Sequence, residues 1–174
     1  LKPFEEIIAH WLKELGLIHS FNVSELAEHS NLYKIEVRKT AKSTPVLITD
    51  VGFGVSQLLP VLVLLYYVPE GSIVLLEQPE IHLHPAVQTG LADLIISVAK
   101  TRKVQVIVES HSEHLLRRFQ LRVAEDKITP DDIKLYFCET KSGASILNPL
   151  TVDIFGKIEN WPPNFFGNEF EEIV

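Results

Sequence analysis

Two stretches of this chain are largely apolar without regular alternation, Ile73–Leu76 and, with Gln105 as its single polar residue, Val104–Val108. Runs of that kind read as parallel strands buried on both faces. Each ends abruptly in polar residues: Glu77-Gln78-Pro79-Glu80 after the first, Glu109-Ser110-His111 after the second. Between them Val87, Leu91, Leu94, Ile95 and Val98 repeat at helical spacing, and Pro85 stands where a helix tolerates proline, at its start. A further helix carries Leu115, Leu116, Phe119 and Val123 on one face. Strand, helix, strand, helix at this spacing predicts a parallel sheet with right-handed crossovers.

Ahead of this unit, Phe4, Ile7, Ile8, Trp11, Leu12 and Leu15 mark one face of an amphipathic helix that Gly16 closes. Tyr33, Ile35 and Val37 alternate with Lys34, Glu36 and Arg38, which predicts a half-buried antiparallel strand. A polar turn near Lys39–Ser43 leads to a second short strand, Pro45–Ile48. Asp50–Gln57 (DVGFGVSQ) reads as a glycine-bearing loop that enters an apolar helix from Ser56 to about Tyr67. Ile133–Cys138 and Ala144–Leu147 flank a Lys141-Ser142-Gly143 turn and read as a hairpin. From Val152 the composition shifts to Trp161, Pro162, Pro163, Phe165, Phe166 and Phe170 among acidic residues. The expected fold is α/β: a parallel sheet flanked by helices, antiparallel strands on its N-terminal side and a C-terminal hairpin. The expected division is 1–150 and 151–174, the second a small aromatic-rich segment.

Composition narrows the function. The 174 residues can bury a real core, and 46% hydrophobic with 22% charged residues suits a globular protein. A net charge of −7 argues against a surface given over to nucleic-acid phosphates. Arg117, Arg118 and Arg122 cluster on one helix, where a solvated face explains them. Cys138 is the single cysteine, expected as a small buried hydrophobe in a strand, which suits a reducing, cytoplasmic compartment. Lys2, Glu5 and Glu6 break any signal-peptide pattern, and Leu58–Val68 is too short to span a bilayer, so no membrane partner is expected. The sequence holds no Met, which suggests a chain that begins inside a longer protein or has been trimmed.

If the two strands are neighbours, Glu77, Glu80, His82, His84, Glu109, His111 and His114 gather at one crevice, where open α/β sheets place ligands. The residues there resemble a known family. SIVLLEQPEIHLHP resembles the Walker B strand and following loop of ABC-like, AAA-type P-loop ATPases related to the overcoming-lysogenization-defect, RecF and Rad50 heads. VGFGVSQ resembles their signature motif, and QVIVESHS the strand with their switch histidine. The three stand in the family's order and spacing, over roughly Leu32 to Asp126. ENWPPNFFGNEFEEI is similar to a small uncharacterised C-terminal domain of some bacterial members.

The resemblance implies ATP and Mg²⁺ bound between two heads, and a homodimer formed through the nucleotide. Glu77 then holds Mg²⁺ at the metal position, and His111 senses the γ-phosphate. Active relatives carry a water-polarising Glu next; here it is Gln78, which can orient a water but not take its proton, so Glu80 is the carboxylate left for the base role. Gly52, Gly54, Ser56 and Gln57 cap the nucleotide of the partner head; the usual signature serine aligns with Gly52, and Ser56 is its substitute. No G-x-x-x-x-G-K-[ST] occurs, so the phosphate-cradling lysine is expected upstream, and the isolated chain is expected to be inactive. DNA or a nuclease is implied as a partner by resemblance alone. Two other readings stay open: a metal-dependent hydrolase built on His82, His84, His111 and His114 with Glu77 and Glu109, and a non-catalytic dimerisation or docking lobe with the aromatic tail as its surface.

Overall fold

A computed structural model describes residues 4–162 of the chain. The expected tail residues Pro163, Phe165, Phe166 and Phe170 lie outside the described residues. The order is α1 (Phe4–Glu14), β1 (Ser20–Glu25), β2 (Tyr33–Arg38), β3 (Val46–Leu47), α2 (Phe53–Tyr67), β4 (Ile73–Glu77), α3 (Pro85–Arg102), β5 (Gln105–Glu109), α4 (Glu113–Ala124), β6 (Leu135–Lys141) and β7 (Ala144–Leu150). The fold is α/β, with a parallel pair, an antiparallel sheet before it and a hairpin after it. Two compact units divide it, Leu1–Leu115 and Leu116–Val174.

In the first unit, β2 is the centre of an antiparallel sheet ordered β1-β2-β3. β1 is not anticipated by pattern: Ser-Phe-Asn-Val-Ser-Glu is short and mostly polar, and its extended form is secured by pairing with β2. α1 follows its apolar stripe, burying Ile8 and Leu12, and stops at Gly16, whose φ of 68° suits a residue without Cβ. It packs on α2. α2 begins three residues earlier than expected, at Phe53, because Gly52 is its N-cap and Gly54 lies in its first turn. Its buried face is Val55, Leu58, Leu62 and Leu65. The last carbonyls of α2 receive a cationic cap: Arg102 donates to Leu65 O at 2.7 Å and to Val68 O at 2.6 Å.

The parallel pair is the frame of the site. β4 and β5 align Ile73 with Gln105 and, at the other end, Glu77 with Glu109. α3 joins them. His84 caps it, Nδ1 accepting from Ala86 N at 3.3 Å, and Pro85 opens its first turn. Val87, Leu91, Leu94, Ile95 and Val98 are buried as their spacing predicts.

The strands themselves differ from expectation. They are not buried on both faces: Val74 and Leu76 are buried, but Ile73 and Leu75 on the opposite face are 61% and 70% exposed. Ile107 of β5 is exposed beside Leu75. Among the described residues no element covers this face, and the strands alternate in burial although Ile73–Leu76 is apolar throughout.

In the second unit β6 and β7 pair in register from Leu135–Leu150 to Lys141–Ala144. Cys138 is exposed, not buried, since a two-stranded ribbon leaves one face to solvent. Lys141 donates a hydrogen bond to Glu139, as does Asn148, and the two hold the Glu139 carboxyl below its ordinary value. Ile128 and Ile158 are buried, and Val152 bridges to Ile158. Among the described residues no helix is long and apolar enough to cross a membrane.

Gly156 has φ 75°, and a Cβ there would fall on the Gln120 carbonyl oxygen. Gly156→Ala should destabilise the second unit by about 2 kcal/mol or more, read by urea unfolding; an unchanged midpoint would contradict the packing. For Glu139 the depressed pKa means hairpin stabilisation that is present above the ordinary glutamate value and lost as pH falls through the folded-state value. Lys141→Ala should move the Glu139 side-chain NMR titration upward.

Candidate functional site

Parallel register decides what meets at the carboxyl ends of the strands. Glu77 and Glu109 are register partners, so their Cα atoms stand side by side and both side chains are exposed. His111 lies two residues beyond, with Nε2 3.2 Å from Glu109 Oε1 and a side chain 79% exposed. Glu77 and His111, expected in one cleft, thus share one end of one sheet through Glu109.

The backbone between them is tightly drawn. Gln78 N donates to Glu109 O at 2.8 Å, which carries the pairing one step past the strand. Gln78 itself has φ 45° and His82 φ 60°, two non-glycine residues in the left-handed region within one short loop. Such positions are costly for residues with a Cβ and persist where surroundings over-determine them.

Glu80 does not join the exposed cluster. It is 7% exposed, and its Oε1 accepts from Ser110 Oγ at 2.7 Å and from His111 N at 2.9 Å. A polar chain extends from there. Ser110 Oγ accepts from Ser112 N at 3.0 Å, Ser112 Oγ donates to Gln88 Oε1 at 2.6 Å, and Gln88 Nε2 donates to Leu83 O at 2.9 Å. Ser112 Oγ also accepts from Leu115 N at 3.0 Å, so it caps α4. Gln88 belongs to no motif, and Ser110 stands inside QVIVESHS without a role of its own there; their part emerges only when residues about thirty apart meet.

Gly52, Gly54, Ser56 and Gln57 stand together in the cap and opening turns of α2. Gly52, Ser56 and Gln57 are exposed at this helix start, where the positive end of the helix dipole lies. Pro60 has no N–H and cannot donate to the Ser56 carbonyl. The turn is tied to the loop after β4 by Phe53, whose ring centroid is 6.2 Å from that of His82.

The four histidines of the metal-hydrolase reading are not brought together. Among the described residues no three His, Cys, Asp or Glu side chains could hold one metal ion. His84 caps α3 and His82 meets Phe53.

Residues 1–116 match the family model described as AAA ATPase domain. The chain belongs to the AAA ATPase domain family. Residues 128–174 match a second model, a protein of unknown function (DUF3696), so that segment takes in the β6–β7 hairpin. No curated relative matches the sequence. Among solved structures the fold is similar to an SMC ATPase studied for ATP-driven dimerization and DNA-stimulated activation, at TM-score 0.65 and 18% identity over 85% of this chain and 83% of that one. It is also similar to an Smc head bound to the C-winged helix domain of ScpA, at TM-score 0.66 and 17% identity over 86% of this chain. A third is the Pyrococcus furiosus Smc head with an extended coiled coil, at TM-score 0.62 and 17% identity over 85%. This chain spans 43% and 34% of the length of those two Smc structures. At such identities the likeness is one of fold.

Purified protein should carry only substoichiometric zinc by elemental analysis, and His82→Ala with His114→Ala should leave its metal content unchanged. Stoichiometric zinc lost in that pair would restore the hydrolase reading.

Proposed function

We propose that this chain is the C-terminal lobe of an ABC-like ATPase head, which binds ATP–Mg²⁺ together with a phosphate loop contributed by preceding sequence. The observation that carries this reading is the parallel register of Glu77 with Glu109 and the nearness of His111 to Glu109, at the strand ends of an AAA ATPase domain. The exposed apolar face of β4 and β5 supports it, since parallel sheets are stable where both faces are covered, and a further lobe would cover this one.

The donor set fits the cation. Mg²⁺ prefers hard oxygen ligands and keeps several waters, and Glu77 offers an exposed carboxylate beside a second one, Glu109. When bound, the ion would neutralise charge on the β- and γ-phosphates. His111 donates from its imidazole toward a γ-phosphate, with Glu109 orienting the ring through Nε2. Gln78, locked in its left-handed conformation, orients a water through its amide but has no basic oxygen to take the proton. Hydrolysis in this reading is slow.

Gly52, Gly54, Ser56 and Gln57 present a helix N-terminus to the nucleotide of a second head, which would make the working unit a homodimer closed by ATP. Similar SMC ATPases undergo ATP-driven dimerization. DNA or a nuclease remains the proposed class of downstream partner, and the cytoplasm its proposed location. The proposed domain division, 1–150 and 151–174, assigns the tail to a separate segment.

The calorimetric test is direct. Residues 1–174 alone should show no micromolar MgATP binding, whereas the protein with its phosphate loop should bind; tight binding by 1–174 alone would overturn the division of labour. In the complete protein Glu77→Gln should abolish Mg²⁺-dependent turnover, and Gln78→Glu should raise it by about tenfold or more by restoring a base. Turnover unaffected by both changes would remove these residues from the site.

A further inference from the structure

Among the described residues, Glu80 is the one charged side chain that is buried. A buried carboxylate is expensive to desolvate and is kept where its hydrogen bonds compensate. Both of the bonds given to Oε1 come from the opposite strand end, from Ser110 Oγ and His111 N, while Oε2 is buried without a hydrogen-bond partner. A group that activates water needs reach to the open cleft, and Glu80 instead points its one engaged oxygen at the backbone that launches His111. The remaining bonds of the network, Ser112 N to Ser110 Oγ and Ser112 Oγ to Gln88 Oε1, fix the same turn from its far side.

We propose that Glu80 is a positioning residue, whose buried carboxylate holds the Ser110–His111 turn and thereby sets where the His111 imidazole stands relative to Glu77. The base role suggested by its place in the sequence is not its function. The two strand-end loops become one body: a shift of the loop after β4 carries Glu80, and with it His111. This builds on the nucleotide-binding reading above, in which His111 meets the γ-phosphate.

The test compares Glu80→Gln, Glu80→Ala, His111→Ala and the double variant Glu80→Ala/His111→Ala in the complete protein. Glutamine keeps an acceptor at Oε1 but loses the charge assistance, so Glu80→Gln should lower kcat by about threefold. Alanine releases the turn, and Glu80→Ala should lower kcat by about tenfold to a hundredfold with a smaller change in KM. If Glu80 acts through His111, the double variant is no slower than His111→Ala alone. Hydrogen exchange supplies a readout independent of turnover: the His111 amide should exchange at least tenfold faster in Glu80→Ala, with protection largely kept in Glu80→Gln. Glu80→Gln as inactive as Glu80→Ala, with the amide still protected, would make Glu80 a base and overturn the proposal. So would an unchanged His111 amide in Glu80→Ala. A complete protein that neither binds nor hydrolyses ATP would defeat the nucleotide reading, yet the exchange measurement would still decide whether Glu80 holds the turn.

Discussion

The site depends on the parallel pairing of β4 with β5. Parallel hydrogen bonds allow no turn between neighbours, so the chain must return through a crossover, here α3, before the second strand begins. That detour is what brings residues thirty apart in sequence to the same edge. With Glu77 and Glu109 in register, every later feature follows from a short reach beyond the strands: Gln78 bonded back to Glu109, His111 folded onto Glu109, and Glu80 turned inward to the Ser110–His111 backbone. A slip of one residue would send Glu77 to the covered face and bury its charge.

Exposure is divided sharply across this pair. The covered face holds Val74 and Leu76, while the open face runs from apolar Ile73 and Leu75 to acidic Glu77. The open face is thus a solvent-exposed apolar strip that ends in a carboxylate edge. Burial inside the loop works the other way. Glu80 is withdrawn from solvent and accepts two hydrogen bonds, so the nearby carboxylates Glu77 and Glu80 have opposite environments.

Hydrophobic spacing made the helices legible. The stripe in α1 and the buried set in α3 are where periodicity puts them, because a helix face must be apolar along its whole length to bury. Gly16 and Pro85 mark boundaries by backbone chemistry alone. Elements that owe their form to a neighbour were harder to see. β1 lacks an apolar run and is extended because β2 offers its edge. The start of α2 was obscured by glycines that read as loop, although Gly52 serves as its cap. Composition likewise could not separate strands buried on two faces from strands buried on one, since Ile73 and Leu75 are as apolar as Val74 and Leu76.

Local pattern determined the helices, the two strands and the polar triplets at their ends, because propensity and periodicity act over a few residues. It also determined the family resemblance, carried by three short motifs in order. Tertiary structure alone decided which carboxylate faces solvent and which is buried, that His84 caps a helix and His82 meets Phe53, and which nitrogen of His111 is engaged. Those outcomes depend on contacts between loops that the sequence separates by a whole helix, and no local preference encodes them.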